Sequence, residues 1–138
     1  MKGPLVRIAL IVSIVAAAAA VWLPGLVASR SGGEAERDPK SREIRIVARD
    51  MTFYVNGVET PNPTLRVKAG EKVRLVLRNE DAGLTHDFAV QAWKVATKTL
   101  TEKGQEDSVV FRVPAQRGAT AYQCTPHAEM MKGSIQVE

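Results

Sequence analysis

The strongest constraint on the fold is a set of short runs in which apolar residues occupy every second position. Such runs occur at Ile44–Ala48, Val73–Leu77 and Val109–Val113. An extended strand turns successive side chains to opposite faces, so this pattern predicts half-buried β-strands. Turn signals such as Asn56-Gly57 and Asn79–Gly83 separate the runs at short intervals. Short strands joined by frequent turns are typical of a β-sandwich or barrel.

The same patterns predict no amphipathic helix after residue 42, apart from one turn near residues 92–96. The predicted fold class is therefore all-β, a Greek-key β-sandwich or barrel, preceded by one apolar N-terminal helix. The strands are expected near residues 43–49, 51–55, 64–68, 72–79, 86–91, 95–100, 107–113, 119–124 and 133–138.

The N-terminal helix is predicted from Ile8–Ala28, which contains no charged side chain. As a helix this segment would be about 30 Å long, close to the hydrocarbon thickness of a bilayer. Lys2 and Arg7 precede it, and a positive flank predicts a cytoplasmic N-terminus with the rest of the chain exported. Residues 1–28 are therefore expected to be a membrane anchor or, if cleaved near Ala18–Ala20, a signal segment.

Residues 29–42 are rich in charge, glycine and proline without apolar periodicity, and are predicted to be a flexible linker. Residues 43–138 then form one folded domain. Six of the 19 basic and three of the 15 acidic residues precede residue 43, which leaves 13 against 12 in that domain. A nearly neutral domain without a basic stripe is not expected to bind nucleic acid.

The chemistry of the chain is concentrated in the segment from Tyr122 to Gly133, which contains the only cysteine, Cys124, and one of two histidines, His127. A lone cysteine in an exported domain has no disulfide partner in the chain. Taken by itself it is most often a small buried apolar residue, and the alternative is a chemical role. Thiolate, imidazole and thioether are soft ligands that suit copper, and two histidines, one cysteine and a weak axial methionine are typical of blue-copper sites.

The second histidine, His86, follows the turn-rich stretch Asn79–Thr85 and is predicted at the end of a strand. Cys124 is also predicted at a strand end. Antiparallel strands of a sandwich bring such ends to a common pole, so His86 can face the cysteine loop.

These residues resemble the cupredoxins, the small blue-copper proteins such as plastocyanin, amicyanin and azurin. The resemblance covers about residues 43–138. It rests on four segments: Pro63–Val73, Asn79 to His86-x-Phe88, Tyr122-x-Cys124-Thr125-Pro126-His127, and Met131-x-Gly133-x-Ile135-x-Val137.

The resemblance implies a cupredoxin-like domain with one copper ion per chain, bound by His86, Cys124 and His127 with Met131 axial. The neighbouring Met130 remains an alternative, because cysteine-loop spacings differ within the family. Asp87 stands where plastocyanin and azurin carry asparagine. Its carboxylate is expected to accept a hydrogen bond from the Thr125 hydroxyl or backbone and to join the two ligand loops.

The implied function is electron transfer by copper at the outer face of the cytoplasmic membrane, in the periplasm or an equivalent space. The chain is expected to be a monomer that docks transiently with redox partners through a weakly charged patch. The small or apolar residues of this patch are Ala82, Gly83, Leu84, Pro126, Ala128 and Met130.

Other function classes require groups that the chain lacks. A multicopper enzyme needs further imidazole ligands, and a binuclear copper domain needs a second cysteine. No enzymatic activity is therefore expected. A copper chaperone is the main alternative, although the chain has no Met-rich or His-rich tract. A metal-free β-sandwich interaction module is the remaining one.

Overall fold

The computed structural model describes residues 40–138, which form β-strands and one short 3-10 helix. The all-β prediction is confirmed for this part of the chain. Residues 40–138 include no helix that is both long and apolar enough to cross a membrane. The predicted anchor or signal segment, residues 1–28, and most of the predicted linker lie outside the described residues.

The described chain has nine strands, labelled in chain order, and the 3-10 helix spans Gln91–Trp93. The strands are β1 (Arg42–Arg49), β2 (Thr52–Val55), β3 (Leu65–Val67), β4 (Lys72–Asn79), β5 (Ala89–Val90), β6 (Val95–Ala96), β7 (Glu106–Arg112), β8 (Gly118–Gln123) and β9 (Lys132–Val137).

The strands form two sheets, one in the order β2-β1-β4-β7 and the other in the order β3-β9-β8-β5-β6. In the first sheet β1 pairs antiparallel with β2 and parallel with β4, and β4 pairs antiparallel with β7. In the second sheet β9 pairs parallel with β3 and antiparallel with β8. Because β3 belongs to the second sheet, the chain changes sheets twice between β2 and β4.

The core lies between the two sheets, where the alternating apolar positions of β1 and β4 meet those of β3 and β9. This arrangement removes one face of each strand from water. The other face of β4 carries Lys72, Arg74 and Arg78, and only Val76 on that face is also buried. The alternation predicted from the sequence is thus confirmed for β1 and β4. The buried residues of these four strands include Ile44, Ile46, Ala48, Leu65, Val67, Val73, Leu75, Leu77, Ile135 and Val137.

An aromatic cluster of Phe53, Phe88 and Tyr122 lies at the centre of the core, and all three side chains are fully buried. Phe88 stacks on Tyr122 with ring centroids 4.9 Å apart, and Phe53 meets each of them edge-on at 5.7 Å. The Tyr122 hydroxyl donates a hydrogen bond to the Pro63 carbonyl at 2.7 Å. Because Phe88 is two residues after His86 and Tyr122 two before Cys124, the cluster anchors both histidine-bearing and cysteine-bearing segments.

The predicted strands at 86–91 and 95–100 are wrong in length, since β5 and β6 have two residues each. Beyond the paired residues of β5 and β6, the Thr97 N–H donates one further backbone hydrogen bond to the Phe88 carbonyl. The next pairing is between His86 and Leu100, which exchange two backbone hydrogen bonds of 3.0 and 2.7 Å.

The interruption between these two pairings is a β-bulge, because one residue between His86 and Phe88 lies opposite two residues between Thr97 and Leu100. Side-chain hydrogen bonds hold the bulge open. The Thr97 hydroxyl accepts the Phe88 N–H at 3.0 Å, and a carboxylate oxygen of Asp107 accepts the Lys98 N–H at 2.8 Å. Such local bonds compete with regular strand pairing, and bulges redirect side chains near functional sites.

Candidate metal centre

The side chains of His86, Cys124 and His127 converge, although 38 residues separate the first from the second. One ligand atom from each residue lies within 4.8 Å of the others. The Cys124 Sγ is 3.7 Å from His86 Nδ1 and 3.6 Å from His127 Nδ1. The two imidazole rings are inclined at 56° with centroids 5.1 Å apart. Two nitrogen atoms and one sulfur atom therefore face a common point.

His86 is held by its backbone at the edge of the bulge, where it pairs with Leu100. Its side chain is fully buried. Cys124 follows β8 directly and is also fully buried, whereas His127 is half-buried in the loop between β8 and β9. The His86 side chain is thus enclosed, whereas His127 is partly accessible from the surface.

Short backbone hydrogen bonds close the loop between β8 and β9. The Cys124 N–H donates to the Met131 carbonyl at 2.9 Å, and the Met131 N–H donates to the His127 carbonyl at 2.9 Å. The His127 N–H reaches the Cys124 carbonyl at 3.2 Å. These bonds link the backbone of the loop to itself and set the spacing of Cys124 and His127 along it.

The two candidate methionines have opposite environments. Met131 is fully buried in the core, immediately before β9. The Met130 side chain is 56% exposed, and the Met130 carbonyl accepts a hydrogen bond from the Asn62 amide at 3.0 Å. Both residues lie in the turn before β9, and of the two side chains only that of Met131 faces the interior.

Asp87 joins the two ligand-bearing segments. Its carboxylate Oδ1 accepts the Thr125 N–H at 2.6 Å, and the residue is buried. Of the two donors expected from the sequence, the structure thus uses the backbone N–H of Thr125. This bond fixes the cysteine loop against the segment that carries His86.

A second carboxylate, that of Asp81, touches the site and was missed in the sequence. Its Oδ2 lies 2.9 Å from His86 Nε2, and its side chain is 11% exposed. The only signal for Asp81 in the sequence was its place in a predicted turn, five residues before His86. Aspartate is so common in turns that this position alone does not distinguish a structural from a functional role.

Asp81 also accepts backbone hydrogen bonds from the turn between β1 and β2. The Asp50 N–H donates to its Oδ1 at 2.8 Å and the Met51 N–H to its Oδ2 at 3.3 Å. Burial alone would raise the pKa of Asp81, but these two bonds, together with His86, lower it below its usual value. The side chain is therefore an anion beside the buried imidazole.

Burial raises the pKa of the Cys124 thiol, and the nearby Asp87 charge adds to this effect. Hydrogen bonds from the backbone N–H groups of Asp87 and His127 act in the opposite direction. A buried thiol of this kind is protonated in the absence of a metal, so binding a metal as thiolate releases a proton.

The donor set matches the preference of copper. A thiolate and two imidazoles in one buried cluster, with a methionine in the same core, fit one copper ion per chain. Neither a second cysteine nor a further histidine lies in the described chain. The cluster thus accommodates a single ion rather than a binuclear centre.

Solved structures with similar folds include several copper proteins. Rusticyanin from Thiobacillus ferrooxidans is 22% identical, with a TM-score of 0.56 over 72% of this chain and 78% of its own. Auracyanin A, a "blue" copper protein from Chloroflexus aurantiacus, is 18% identical, with a TM-score of 0.56 over 71% and 99%. At these identities the similarity establishes the fold.

The periplasmic domain of cytochrome oxidase subunit II (CoxB) from Bradyrhizobium japonicum has the same fold. It is 19% identical, with a TM-score of 0.57 over 72% of this chain and 86% of its own. No curated protein sequence matches this chain. The sequence of residues 40–138 does match the profile of a family described as copper binding proteins, plastocyanin/azurin family.

That match covers His86, Cys124 and His127 and most of the chain. The resemblance to cupredoxins is thereby confirmed, and so is the expectation of copper as the cofactor. This protein belongs to the plastocyanin/azurin family of copper-binding proteins, the cupredoxins.

Proposed function

We propose that this protein carries single electrons between redox partners at the outer side of the cytoplasmic membrane. In this proposal His86, Cys124 and His127 would hold the copper ion, with Met131 as the fourth and weakest donor. Copper bound in this way supplies a one-electron Cu(II)/Cu(I) couple. We further propose that the protein is a carrier and not an enzyme.

The observation that carries the proposal is the convergence of the three ligand atoms within 4.8 Å. The Cys124 Sγ lies 3.7 and 3.6 Å from the two Nδ1 atoms, so the three atoms are close enough to contact one ion. Fast electron transfer requires ligands that move little when the charge of the metal changes. Side chains on segments that are joined by hydrogen bonds meet this requirement.

Rigidity of the ligands comes from bonds that do not involve the metal. Asp87 ties the cysteine loop to the His86 segment, and the Met131 backbone closes the loop on Cys124 and His127. The aromatic cluster of Phe53, Phe88 and Tyr122 packs beneath both segments. These contacts support a site whose geometry is similar in both oxidation states.

The route for the electron is proposed to pass through His127. His86 is fully buried, whereas His127 is half-buried in a loop whose neighbours Pro126 and Met130 are exposed. Ala82 and Gly83 of the other segment are exposed as well. Small and apolar residues near the imidazole allow a partner to approach closely and to dissociate quickly.

The proposed location depends on the N-terminal segment. We propose that residues 1–28 anchor the chain, that residues 29–42 form the linker, and that residues 43–138 form the copper domain outside the membrane. Membrane fractionation followed by N-terminal sequencing tests this. An intact N-terminus in the membrane fraction supports the anchor, whereas a start near Ala20 or Ala28 in the soluble fraction supports a cleaved signal.

The electron-transfer proposal is tested with the full chain loaded with Cu(II). An intense visible thiolate-to-copper band and a reversible one-electron wave in voltammetry are expected. Repeated reduction and reoxidation should restore the band without loss of copper. The zinc-loaded chain serves as control, because Zn²⁺ occupies the same kind of ligand set without redox chemistry.

Two outcomes would count against the proposal. A colourless Cu(II) complex would mean that Cys124 is not a ligand. A coloured complex that loses its copper on reduction would favour the delivery function of a copper chaperone.

The axial ligand is tested by comparing Met131→Gln with Met130→Gln. Glutamine has nearly the shape of methionine and is a known axial donor in such sites. Met131→Gln is expected to change the visible spectrum and to shift the potential by more than about 59 mV, a tenfold change in relative affinity for the two oxidation states. Voltammetry and absorption spectroscopy measure both effects.

Met130→Gln provides the matched control, because the same substitution is made one residue away on an exposed side chain. It should leave spectrum and potential close to those of the parent chain. A larger shift in Met130→Gln than in Met131→Gln would reverse the assignment.

A further inference from the structure

We infer that Asp81 is a positioning residue for copper, which sets the tautomer of His86 and favours the oxidised state of the site. The structure gives His86 two different neighbours on its two ring nitrogens. Its Nδ1 faces Cys124 Sγ at 3.7 Å, and its Nε2 faces the Asp81 carboxylate at 2.9 Å. This inference rests on the proposed function only for its effect on the potential.

The carboxylate determines which ring nitrogen is protonated. An ionised carboxylate accepts hydrogen bonds and donates none, so a hydrogen bond at this distance requires a proton on His86 Nε2. The lone pair of a neutral imidazole is then on Nδ1, directed toward Cys124. His86 is therefore held in the tautomer that can bind a metal beside the thiolate.

Asp81 is itself fixed by the fold. Its carboxylate accepts hydrogen bonds from the N–H groups of Asp50 and Met51. These two residues form a turn and both have positive φ, 51° and 56°. The Asp81 N–H also donates to the Asn79 side chain at 2.9 Å. The turn and the strand end thus orient the carboxylate, and the carboxylate orients the ring.

The negative charge of Asp81 acts on the oxidation state as well. A carboxylate that accepts a hydrogen bond from a ligand imidazole makes that ligand a stronger donor. It also stabilises a site of higher positive charge by electrostatic attraction in a largely buried environment. Both effects favour Cu(II) over Cu(I), so loss of this charge should raise the reduction potential.

The tautomer is tested first on the metal-free parent chain by nuclear magnetic resonance of nitrogen-labelled histidine. The expected result is a protonated His86 Nε2 that is hydrogen-bonded to a carboxylate, with a slowly exchanging proton. An unprotonated Nε2 would overturn the inference. This measurement needs neither copper nor a variant, so it decides the question even if a substitution prevents folding.

The effect on copper is tested with Asp81→Asn. Asparagine has one acceptor oxygen in place of two and brings N–H donors, so it cannot accept from His86, Asp50 and Met51 together. Affinity for Cu(II) is expected to fall by about 10- to 100-fold. A tenfold greater loss for Cu(II) than for Cu(I) corresponds to a rise in potential of about 59 mV.

Glu80→Gln is the matched control, because it removes the same charge from the adjacent residue. The Glu80 side chain is 36% exposed, and its carboxylate pairs with Arg78 at 3.5 Å. Its effect on Cu(II) affinity and potential should be less than about threefold, since an exposed charge is screened by water.

The results separate this inference from the proposed function. If the parent chain is blue and cycles reversibly but Asp81→Asn matches Glu80→Gln in affinity and potential, the inference fails while the function stands. If the parent chain does not cycle, the function fails, and the tautomer of metal-free His86 still decides the role of Asp81.

Discussion

Replacing Cys124 with serine is expected to abolish the visible band of the Cu(II)-loaded chain completely. The band arises from charge transfer between thiolate and copper, and a serine hydroxyl cannot replace a thiolate as donor. Affinity for Cu(II) should fall by more than the roughly 10- to 100-fold that follows loss of an outer partner of a ligand. Absorption spectroscopy and competition with a copper chelator measure both effects.

The control for this substitution is Ala121→Ser, which adds the same hydroxyl to an exposed position of β8. Its colour and copper affinity should equal those of the parent chain. Circular dichroism should show a folded β protein in both variants, because serine at position 124 can bond to a neighbouring imidazole nitrogen. Colour that survives in Cys124→Ser would contradict the assignment of the thiolate.

Replacing Gly133 with alanine is expected to cause a large loss of stability. Gly133 is paired with Tyr122 across β8 and β9, and an added Cβ would overlap the tyrosine hydroxyl and ring. The ring cannot move easily, because it stacks on Phe88 and its hydroxyl donates to Pro63. Overpacking of this kind should lower the free energy of unfolding by about 3 kcal/mol.

Chemical denaturation of the metal-free chain measures this loss, and Lys132→Ala is the control. Lys132 precedes Gly133 in β9, and its side chain is exposed. Its ion pair with Glu129 is long, at 3.9 Å, so its substitution should cost less than about 0.5 kcal/mol.

A double variant identifies the cause of the loss. Tyr122→Ala alone should cost about 3–5 kcal/mol through the cavity that it creates. Combined with Gly133→Ala it should cost much less than the sum of the two, because the overlap no longer exists. Additive losses would mean that strain elsewhere in β9 is responsible.

The sequence could predict strands where a single physical signal dominates. In β1 the alternate residues from Ile44 to Ala48 are apolar and buried, and so are those of β4 from Val73 to Leu77, so the period-two pattern was sufficient. Around His86 and Leu100 no single pattern of this kind predicts the pairing. There, side chains of Thr97 and Asp107 take up backbone N–H groups, and the resulting bulge depends on residues distant in the chain.

The residues proposed as ligands were suggested by their chemical rarity. The chain has one cysteine and two histidines, so few residues could provide the thiolate and imidazole ligands of a copper site. The methionine was harder, because Met130 and Met131 are adjacent and chemically identical. Their difference in burial arises from the direction in which the loop enters β9, and this direction is a property of the folded chain.

By itself the sequence determined the all-β class, the membership in the copper-binding family and the three rare donors, since periodicity and residue type are local properties. Only the tertiary structure brought those donors within 4.8 Å of one another and placed Asp81 against His86. Aspartate occurs in many turns, so its position in the sequence does not indicate a role. The role of Asp81 is visible only in the folded chain, where its two oxygens contact both the turn between β1 and β2 and the buried His86 imidazole. Contacts between residues distant in the chain form only after the two sheets have packed. The strand ends and the family resemblance still indicated that His86 faces the cysteine loop and that Asp87 joins that loop, whereas no sequence pattern indicated the contact of Asp81 with His86.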